Sequence, residues 1–402
     1  MTLTQSLIEK EKRYCAQNYS PLPVVLNKAQ GVWVWDVEGK KYLDMVSAYS
    51  AVSLGHSHPR IVKTLIEQSQ KLCLSSRAFY AEALCHFLEK ICEMSGMDMA
   101  LPMNTGAEAV ETAIKAARRW GYFVKKIPSG KAEIIVANNN FHGRTTTIIS
   151  FSSEDTYKEG FDPYTPGFIS IPFGDAQALE KAITLSTCAF LVEPIQGEAG
   201  IVTPPEGWLK QVQDICKKNN VLLIVDEIQS GLGRTGKLFA FEHDNIKPDG
   251  LIIGKALGGG MLPVSLFLAK KEVMQVFTPG SHGSTFGGNS LAAAVGLETL
   301  RIIEDEKLVQ KSAALGSYMF EKLQNLKSPL IKAIRGKGLW VGIEIDSLQA
   351  KARKVAEGLL EKGVLSKETH ESVIRFAPPL VIQKDEIDWA ISQLEKVLET
   401  LN

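Results

Sequence analysis

A lysine becomes a nucleophile or a proton carrier where small neighbours and partial burial strip its hydration and favour the neutral amine. Lys255 has such surroundings: it follows the apolar run Gly250-Leu-Ile-Ile-Gly254 and precedes Ala256-Leu-Gly-Gly-Gly. Alone it would read as a surface lysine in a flexible loop. Asp226 changes that reading. It ends Val221-Leu-Leu-Ile-Val-Asp226, which places a carboxylate at the C-terminal edge of a sheet, where ligands of α/β proteins bind. A third element is Met103-Asn-Thr105-Gly106-Ala107-Glu108. Thr105 and Glu108 have capping-box spacing, so a helix is predicted to start at Gly106. Its free N–H groups, unobstructed by any side chain on Gly106, suit a phosphate; a plain capped helix is the simpler alternative.

Two other patterns carry less. Gly231-Leu-Gly233-Arg-Thr-Gly236 matches G-x-G-x-x-G and, with Lys237, nearly matches a P-loop. Leu238 stands where Ser or Thr must hold Mg²⁺. A dinucleotide site also needs its glycines directly between a strand and a helix. Here Glu227-Ile-Gln-Ser intervenes, and Lys237-Leu-Phe-Ala-Phe is a poor helix. Asp226-Glu227 looks like a Walker B pair but precedes the glycines. His56-Ser-His58-Pro offers two histidines and no third ligand, so no metal site is expected.

The elements that must position these residues follow from periodicity. Glu133-Ile-Ile-Val-Ala, Ala189-Phe-Leu-Val-Glu, Val264-Ser-Leu-Phe-Leu-Ala and the runs 221–226 and 250–254 read as buried strands. Between two of them, 206–219 puts Trp208, Leu209, Val212, Ile215 and Cys216 at helical spacing. Such βαβ units imply a mostly parallel sheet with helices on both faces. Toward the C-terminus, helices are predicted around 308–326, 350–362 and 384–401, with strands near 339–345 and 373–376: a smaller α+β domain. Trp33 to Asp44 alternates about Gly39 and reads as two paired strands. The expected division is an N-terminal segment, 1–49, packing with the small domain, a large domain, 50–309, and a small domain, 310–402.

Composition narrows the partners. Of 402 residues, 45% are apolar and 22% charged, as in ordinary soluble globular proteins. Lys plus Arg and Asp plus Glu are equal at 45 each. Nothing basic suggests a nucleic-acid or membrane partner, and a small molecule is expected. The six cysteines, Cys15, Cys73, Cys85, Cys92, Cys188 and Cys216, form no C-x-x-C pair and are expected to be free, buried thiols. The N-terminus has no apolar core and is not acid-poor, which argues against a signal or transit peptide. With no run of about 18 apolar residues either, a cytoplasmic location is expected.

Over nearly its whole length the chain resembles the fold-type I pyridoxal-phosphate enzymes, and more narrowly the class III (omega) aminotransferases. The specific stretches are Pro102-Met-Asn-Thr-Gly-Ala-Glu-Ala, Asn140-Phe-His-Gly-Arg-Thr, Val192-Glu-Pro-Ile-Gln-Gly-Glu-Ala-Gly, Val225-Asp-Glu-Ile-Gln-Ser-Gly-Leu-Gly-Arg-Thr-Gly and Gly254-Lys-Ala-Leu-Gly-Gly-Gly. Within that class Asn18-Tyr-Ser-Pro-Leu-Pro, His282-Gly-Ser-Thr-Phe-Gly-Gly-Asn and Ile374-Arg-Phe-Ala-Pro-Pro-Leu-Val-Ile resemble the ornithine-specific branch. The resemblance implies a mostly parallel, seven-stranded sheet sandwiched by helices, a smaller α+β domain, pyridoxal 5′-phosphate as cofactor and a homodimer with shared active sites. The implied reaction moves the δ-amino group of L-ornithine to 2-oxoglutarate, giving glutamate 5-semialdehyde and L-glutamate.

Residue roles are implied in the same way. Lys255 would bond to the cofactor aldehyde and shuttle the substrate proton, and Asp226 would pair with the ring nitrogen. Phe141 would stack on the ring, Gln229 would reach its hydroxyl, and Gly106 and Ala107 would hold the phosphate. Ser284 and Thr285 would complete that phosphate site from the neighbouring subunit. Arg144 and Tyr19 match positions that hold the ornithine α-carboxylate, with Tyr49 lining the same pocket. Arg375 would bind a 2-oxoglutarate carboxylate and be covered by Glu198 while ornithine is bound; bidentate pairing suits Arg at both places. His142 departs toward acetylornithine enzymes, though a supporting role behind the site is the preferred reading. N-acetylornithine or 4-aminobutyrate stays open as substrate, and a non-enzymatic nucleotide-binding scaffold is the alternative from another class.

Overall fold

The computed structural model describes residues 1–401. Runs of Ile, Leu and Val apolar on every side chain need a covering layer on both faces of their sheet. Thr187–Val192, Leu222–Asp226, Gly250–Ile253 and Ser265–Ala269 are buried at every position. They lie inside a seven-stranded sheet ordered Met99–Met103, Ser265–Ala269, Gly250–Ile253, Leu222–Asp226, Thr187–Val192, Glu133–Ala137, Phe168–Ile171. Ser265–Ala269 runs antiparallel to both neighbours; the remaining pairs are parallel. Strand alternation feeds two cores: Phe190 and Val192 meet Trp208, Leu209 and Val212, while Ala189 and Leu191 meet Ala113, Ala117 and Trp120. The helices Trp208–Lys218 and Gly106–Phe123 thus cover opposite faces.

The two edge strands, Met99–Met103 and Phe168–Ile171, were not among the strands read from sequence. One carries Pro102, which only an edge or bulge tolerates, and the other is four residues long and half-exposed. In the C-terminal region the helices Leu308–Gln324, Ala352–Glu361 and Lys384–Leu401 pack around four antiparallel strands, where sequence had two. The added ones, Ile331–Gly336 and Lys367–Thr369, are too polar or too short to show a period. Lys41–Asp44 pairs with Trp33–Asp36 on one side and, in parallel, with Val364–Leu365 on the other. Backbone hydrogen bonds therefore tie the N-terminal hairpin to the C-terminal region.

The G-x-G-x-x-G stretch is packing, not a nucleotide loop. Gly233 (φ +95°) lies against Leu380 and Val309, and a Cβ on Gly236 (φ +84°) would stand 2.9 Å from the Ala313 backbone. Arg234 between them is completely buried and donates from Nη1 to Leu339 O (2.9 Å) and Pro378 O (2.6 Å), and from Nη2 to Ser53 Oγ (2.9 Å). Burial without a bonded carboxylate pushes its pKa down to about 9. His56 pairs with Asp44 (2.8 Å) and His58 with Glu306 (3.0 Å). Among the described residues no cluster could hold a metal ion, and no helix is long and apolar enough to cross a membrane.

All six cysteines are free, but burial was expected too widely. Only Cys188 and Cys216 are buried, whereas Cys15, Cys73 and Cys85 are exposed. Cys85 shows why: it lies on the outer face of Glu82–Ser95, whose inner face buries Leu84, Phe87 and Ile91.

Candidate active site

The parallel strands end on one edge, and their ends build a pocket lined by Gly106, Ala107, Phe141, Glu193, Asp226 and Lys255. Asp226 closes its strand there. Its Oδ1 accepts from Ile228 N (3.0 Å), and its Oδ2 lies 2.7 Å from Nδ1 of the buried His142. Burial alone would lower the His142 pKa, but the hydrogen bond and negative charge of Asp226 outweigh it and raise it. His142 Nε2 has no partner. Glu193, the residue after Thr187–Val192, accepts from Phe141 N (2.9 Å) and so fixes the backbone beneath the Phe141 ring. Desolvation raises this carboxyl to about 7, and the nearby Asp226 adds to the effect.

Lys255 stands after the neighbouring strand in a strained conformation, φ 41°, on a short 3-10 turn that begins beside Gly254. A non-glycine residue held left-handed costs on the order of 1–2 kcal/mol and marks a point where the surroundings dictate the geometry. Its amine lines the pocket. Burial lowers it to about 8, with Arg375 pushing the same way and Glu198 and Asp226 pulling back.

Gly106 and Ala107 line the opposite wall, at the first turn of Gly106–Phe123. The capping box is complete: Glu108 N donates to Thr105 Oγ1 (3.2 Å) and Thr105 N to Glu108 Oε2 (2.8 Å). A side chain on Gly106 would press on Ile228 at 3.0 Å. The residue must stay small, which leaves the helix N-terminus open to an anion.

Beyond Lys255 lies an ion pair. Arg375, buried in the strand Val373–Phe376, donates from Nη1 to Glu198 Oε1 (3.0 Å), and its Nη2 lies 2.7 Å from Glu198 Oε2 as a charge contact. Glu198 sits on a loop closed by the reciprocal bonds of Gln196 and Val202, and Ile201 bends there at φ 57°. Burial would raise the Glu198 pKa, but the charge and hydrogen bonds of Arg375 overcome that and hold it low. Gln229 bridges pocket and pair: Nε2 donates to Glu198 Oε1 (3.0 Å), while its buried Oε1 has no partner.

Tyr49 covers the guanidinium, whose carbon is 5.5 Å from the ring centroid. It is carried by Ser47–Ser50, a complete left-handed turn with φ between 45° and 73°. Asp44 Oδ1 accepts from Ser47 N (2.9 Å), and Ser47 Oγ donates to Ala377 O (2.5 Å). These bonds fasten the strained turn to the chain leaving Arg375.

Other residues singled out in the sequence lie outside this cluster. Arg144 is exposed, with its guanidinium 3.4 Å over the Tyr157 ring, and Tyr19 is 78% exposed. Thr285 is exposed. Ser284 Oγ accepts from Asn104 Nδ2 (2.9 Å) and Gly287 N (3.0 Å), beside the capped helix but outside the pocket lining. Glu193 was not singled out as a functional residue. Its sequence signals were its place at the end of the buried run Ala189-Phe-Leu-Val-Glu193 and its membership of the Val192-Glu-Pro stretch.

An amine of lowered pKa, a buried carboxylate held by an imidazole, and an open helix N-terminus form a site for a phosphorylated, nitrogen-containing aldehyde. The chain belongs to the class-III aminotransferases, whose family model matches residues 14–398. It is 57% identical to the ornithine aminotransferase of Brevibacillus brevis over 398 residues, 99% of each chain. Among solved structures it matches an ornithine aminotransferase of Toxoplasma gondii with TM-score 0.98 and 44% identity, covering 99% of this chain and 94% of that one. It also matches an acetylornithine aminotransferase of Elizabethkingia anophelis with TM-score 0.90 and 47% identity, covering 100% of both. As a class-III aminotransferase the protein uses pyridoxal 5′-phosphate, and the residues present fit that group. The unpartnered Gln229 Oε1 and the uncovered helix N-terminus supply polar contacts that the protein leaves unused.

Proposed function

We propose that this protein is an ornithine δ-aminotransferase, acting as a cytoplasmic homodimer on L-ornithine and 2-oxoglutarate. The observation that carries the reading is the close, buried Glu198–Arg375 ion pair beside Lys255. One pocket must take ornithine with its terminal amine leading and 2-oxoglutarate with a carboxylate next to the reacting carbon. A free Arg375 favours the second; an Arg375 neutralised by Glu198 allows the first. The relatives named ornithine aminotransferase support the same substrate.

Bound pyridoxal phosphate supplies an aldehyde that accepts the amine and a ring that takes up electrons. The chain does the rest. Gly106 and Ala107 would hold the phosphate with backbone N–H groups, and Phe141 would pack against the ring. Asp226 would keep the ring nitrogen protonated, its carboxylate oriented by the bond to His142 Nδ1. Gln229 offers its free Oε1 to the ring hydroxyl. Lys255 is poised to take a proton from the δ-carbon of ornithine and to deliver one to the α-carbon formed from 2-oxoglutarate. Arg144, whose guanidinium carbon lies 5.8 Å from the Phe141 ring centroid, and Tyr19 would receive the ornithine α-carboxylate, with Tyr49 lining the same pocket.

Charge-assisted bonds of this kind are worth about 1.5–3 kcal/mol, or roughly ten- to hundredfold in discrimination. Glu198→Ala is therefore expected to speed the glutamate half-reaction relative to the ornithine half-reaction by that factor. Arg375→Ala is expected to cripple the 2-oxoglutarate step and spare the ornithine step. Single-turnover kinetics decide it; equal slowing of both half-reactions by both variants would leave only a structural ion pair.

The exposed Thr285 fits a role across the dimer. Thr285→Val should weaken cofactor binding, and pairing it with a Lys255→Ala subunit should restore near-normal affinity at the one site that keeps its lysine. Affinity as poor as in the Thr285→Val homodimer would show that each subunit serves itself.

His142 and the Elizabethkingia neighbour favour a second reading, N-acetylornithine as donor. Steady-state rates for ornithine, N-acetylornithine and 4-aminobutyrate with 2-oxoglutarate separate the two. Ornithine should lead, and faster use of N-acetylornithine would reverse the assignment.

A further inference from the structure

Arg375 keeps contacts that do not involve the Glu198 carboxylate. Its Nη2 also donates to Gly197 O (3.1 Å) and to Thr369 Oγ1 (3.1 Å). The same Thr369 hydroxyl gives its own proton to Glu198 O at 2.7 Å. Strand register makes this possible: Lys367 pairs with Arg375, so Thr369, two residues on, lies on the Arg375 face as its diagonal neighbour. The hairpin then turns back through His370 (φ 44°) and Glu371 (φ 59°), which fixes the strand end that carries Thr369.

One hydroxyl thus ties the guanidinium to the backbone of the residue that covers it. While the Glu198 carboxylate is in place, one charged hydrogen bond and a 2.7 Å charge contact orient Arg375 beside the neutral bonds. When that carboxylate swings away, only Thr369 Oγ1 and Gly197 O remain to aim Nη2. Arg375 Nε is buried with no partner, so no third bond compensates. The bond to Glu198 O also holds the loop backbone, leaving the Glu198 side chain as the part free to rotate.

We propose that Thr369 is a positioning residue that sets dicarboxylate recognition, by holding Arg375 in register and anchoring the Glu198 backbone when the pair opens. This rests on the reading of Glu198–Arg375 as a gate. Hydroxyl loss is felt in the open state and hardly in the closed one, so it acts on 2-oxoglutarate and glutamate and spares ornithine.

The test is Thr369→Val, which keeps shape and strand propensity, with Thr369→Ser as the rescue, both as holoenzyme. The expected result for Thr369→Val is a KM for 2-oxoglutarate raised about five- to tenfold, with kcat and the ornithine half-reaction within about twofold of wild type. Thr369→Ser should return the KM to the wild-type range. In an Arg375→Ala background Thr369→Val should add nothing. Equal slowing of both half-reactions, failure of Ser to rescue, or a full effect without Arg375 would each overturn the proposal, and a thermal melt shows whether lost stability is the cause. Glu198→Ala reports separately on the gate. A shifted half-reaction ratio in Glu198→Ala with an unchanged KM in Thr369→Val sinks the Thr369 role alone, whereas an unshifted ratio sinks the gate.

Discussion

Lys255→Ala is expected to lower turnover by several orders of magnitude while leaving the fold and the phosphate cradle in place. The side chain ends in the pocket on a turn whose neighbours, Ala256, Leu257 and Gly258, are buried and would keep their packing. On the proposed roles, what is lost is the amine that lines the pocket with Asp226, and with it both the covalent anchor and the proton carrier. The variant should still bind pyridoxal phosphate weakly, without the visible band of the lysine-bound form. In the wild type the amine, lowered to about 8 by burial, is charged below that pH and neutral above it. Roughly a tenth is neutral at pH 7 and nine-tenths at pH 9. Capture of added cofactor by the stripped protein should therefore rise with pH, with its midpoint near 8, and level off above about 9. A rise without a plateau below pH 10 would mean an ordinary, hydrated lysine, and a Lys255→Ala enzyme with normal turnover would end the assignment.

Asp226→Asn is the second large effect. Asp226 lies at the base of the pocket with one oxygen on Ile228 N and the other on His142 Nδ1. A neutral amide cannot hold a proton on the ring nitrogen by charge, and it removes the interaction that raises the His142 pKa. The ring then loses its electron-accepting form. The rate should fall by about a hundredfold or more, a barrier increase of roughly 2.7 kcal/mol at least, while part of the cofactor stays bound. An Asn variant within tenfold of wild type would remove Asp226 from this role.

The parts of the site legible in sequence were those signalled locally. Asp226 and Lys255 end apolar runs, and Thr105 and Glu108 announce a helix start through their spacing alone. The contacts among them depend on strand order, which no local pattern encodes. Placing Thr187–Val192 between Leu222–Asp226 and Glu133–Ala137 is what brings Glu193 to the Phe141 backbone. The turn under Tyr49 is another such case. Ser47-Ala48-Tyr49-Ser50 contains no glycine to hint at four left-handed residues, and the bond that fastens it to Ala377 comes from 330 residues away. Conversely, the glycines of 231–236 match a nucleotide-loop pattern that their setting in the sequence already argues against, and close approach to Ala313 and Val309 accounts for them.

The central claim is that the reacting nitrogen is the terminal one, selected because Glu198 neutralises Arg375 while the α-carboxylate is held at the mouth. Ornithine labelled with ¹⁵N at the δ position, incubated with the holoenzyme and unlabelled 2-oxoglutarate, tests it directly by mass spectrometry of the glutamate formed. The expected result is one ¹⁵N in each new glutamate from δ-labelled ornithine and none from α-labelled ornithine. Label arriving from the α position would contradict the account, because ornithine would then be bound with its carboxylate at Arg375 and the gate would not be closing.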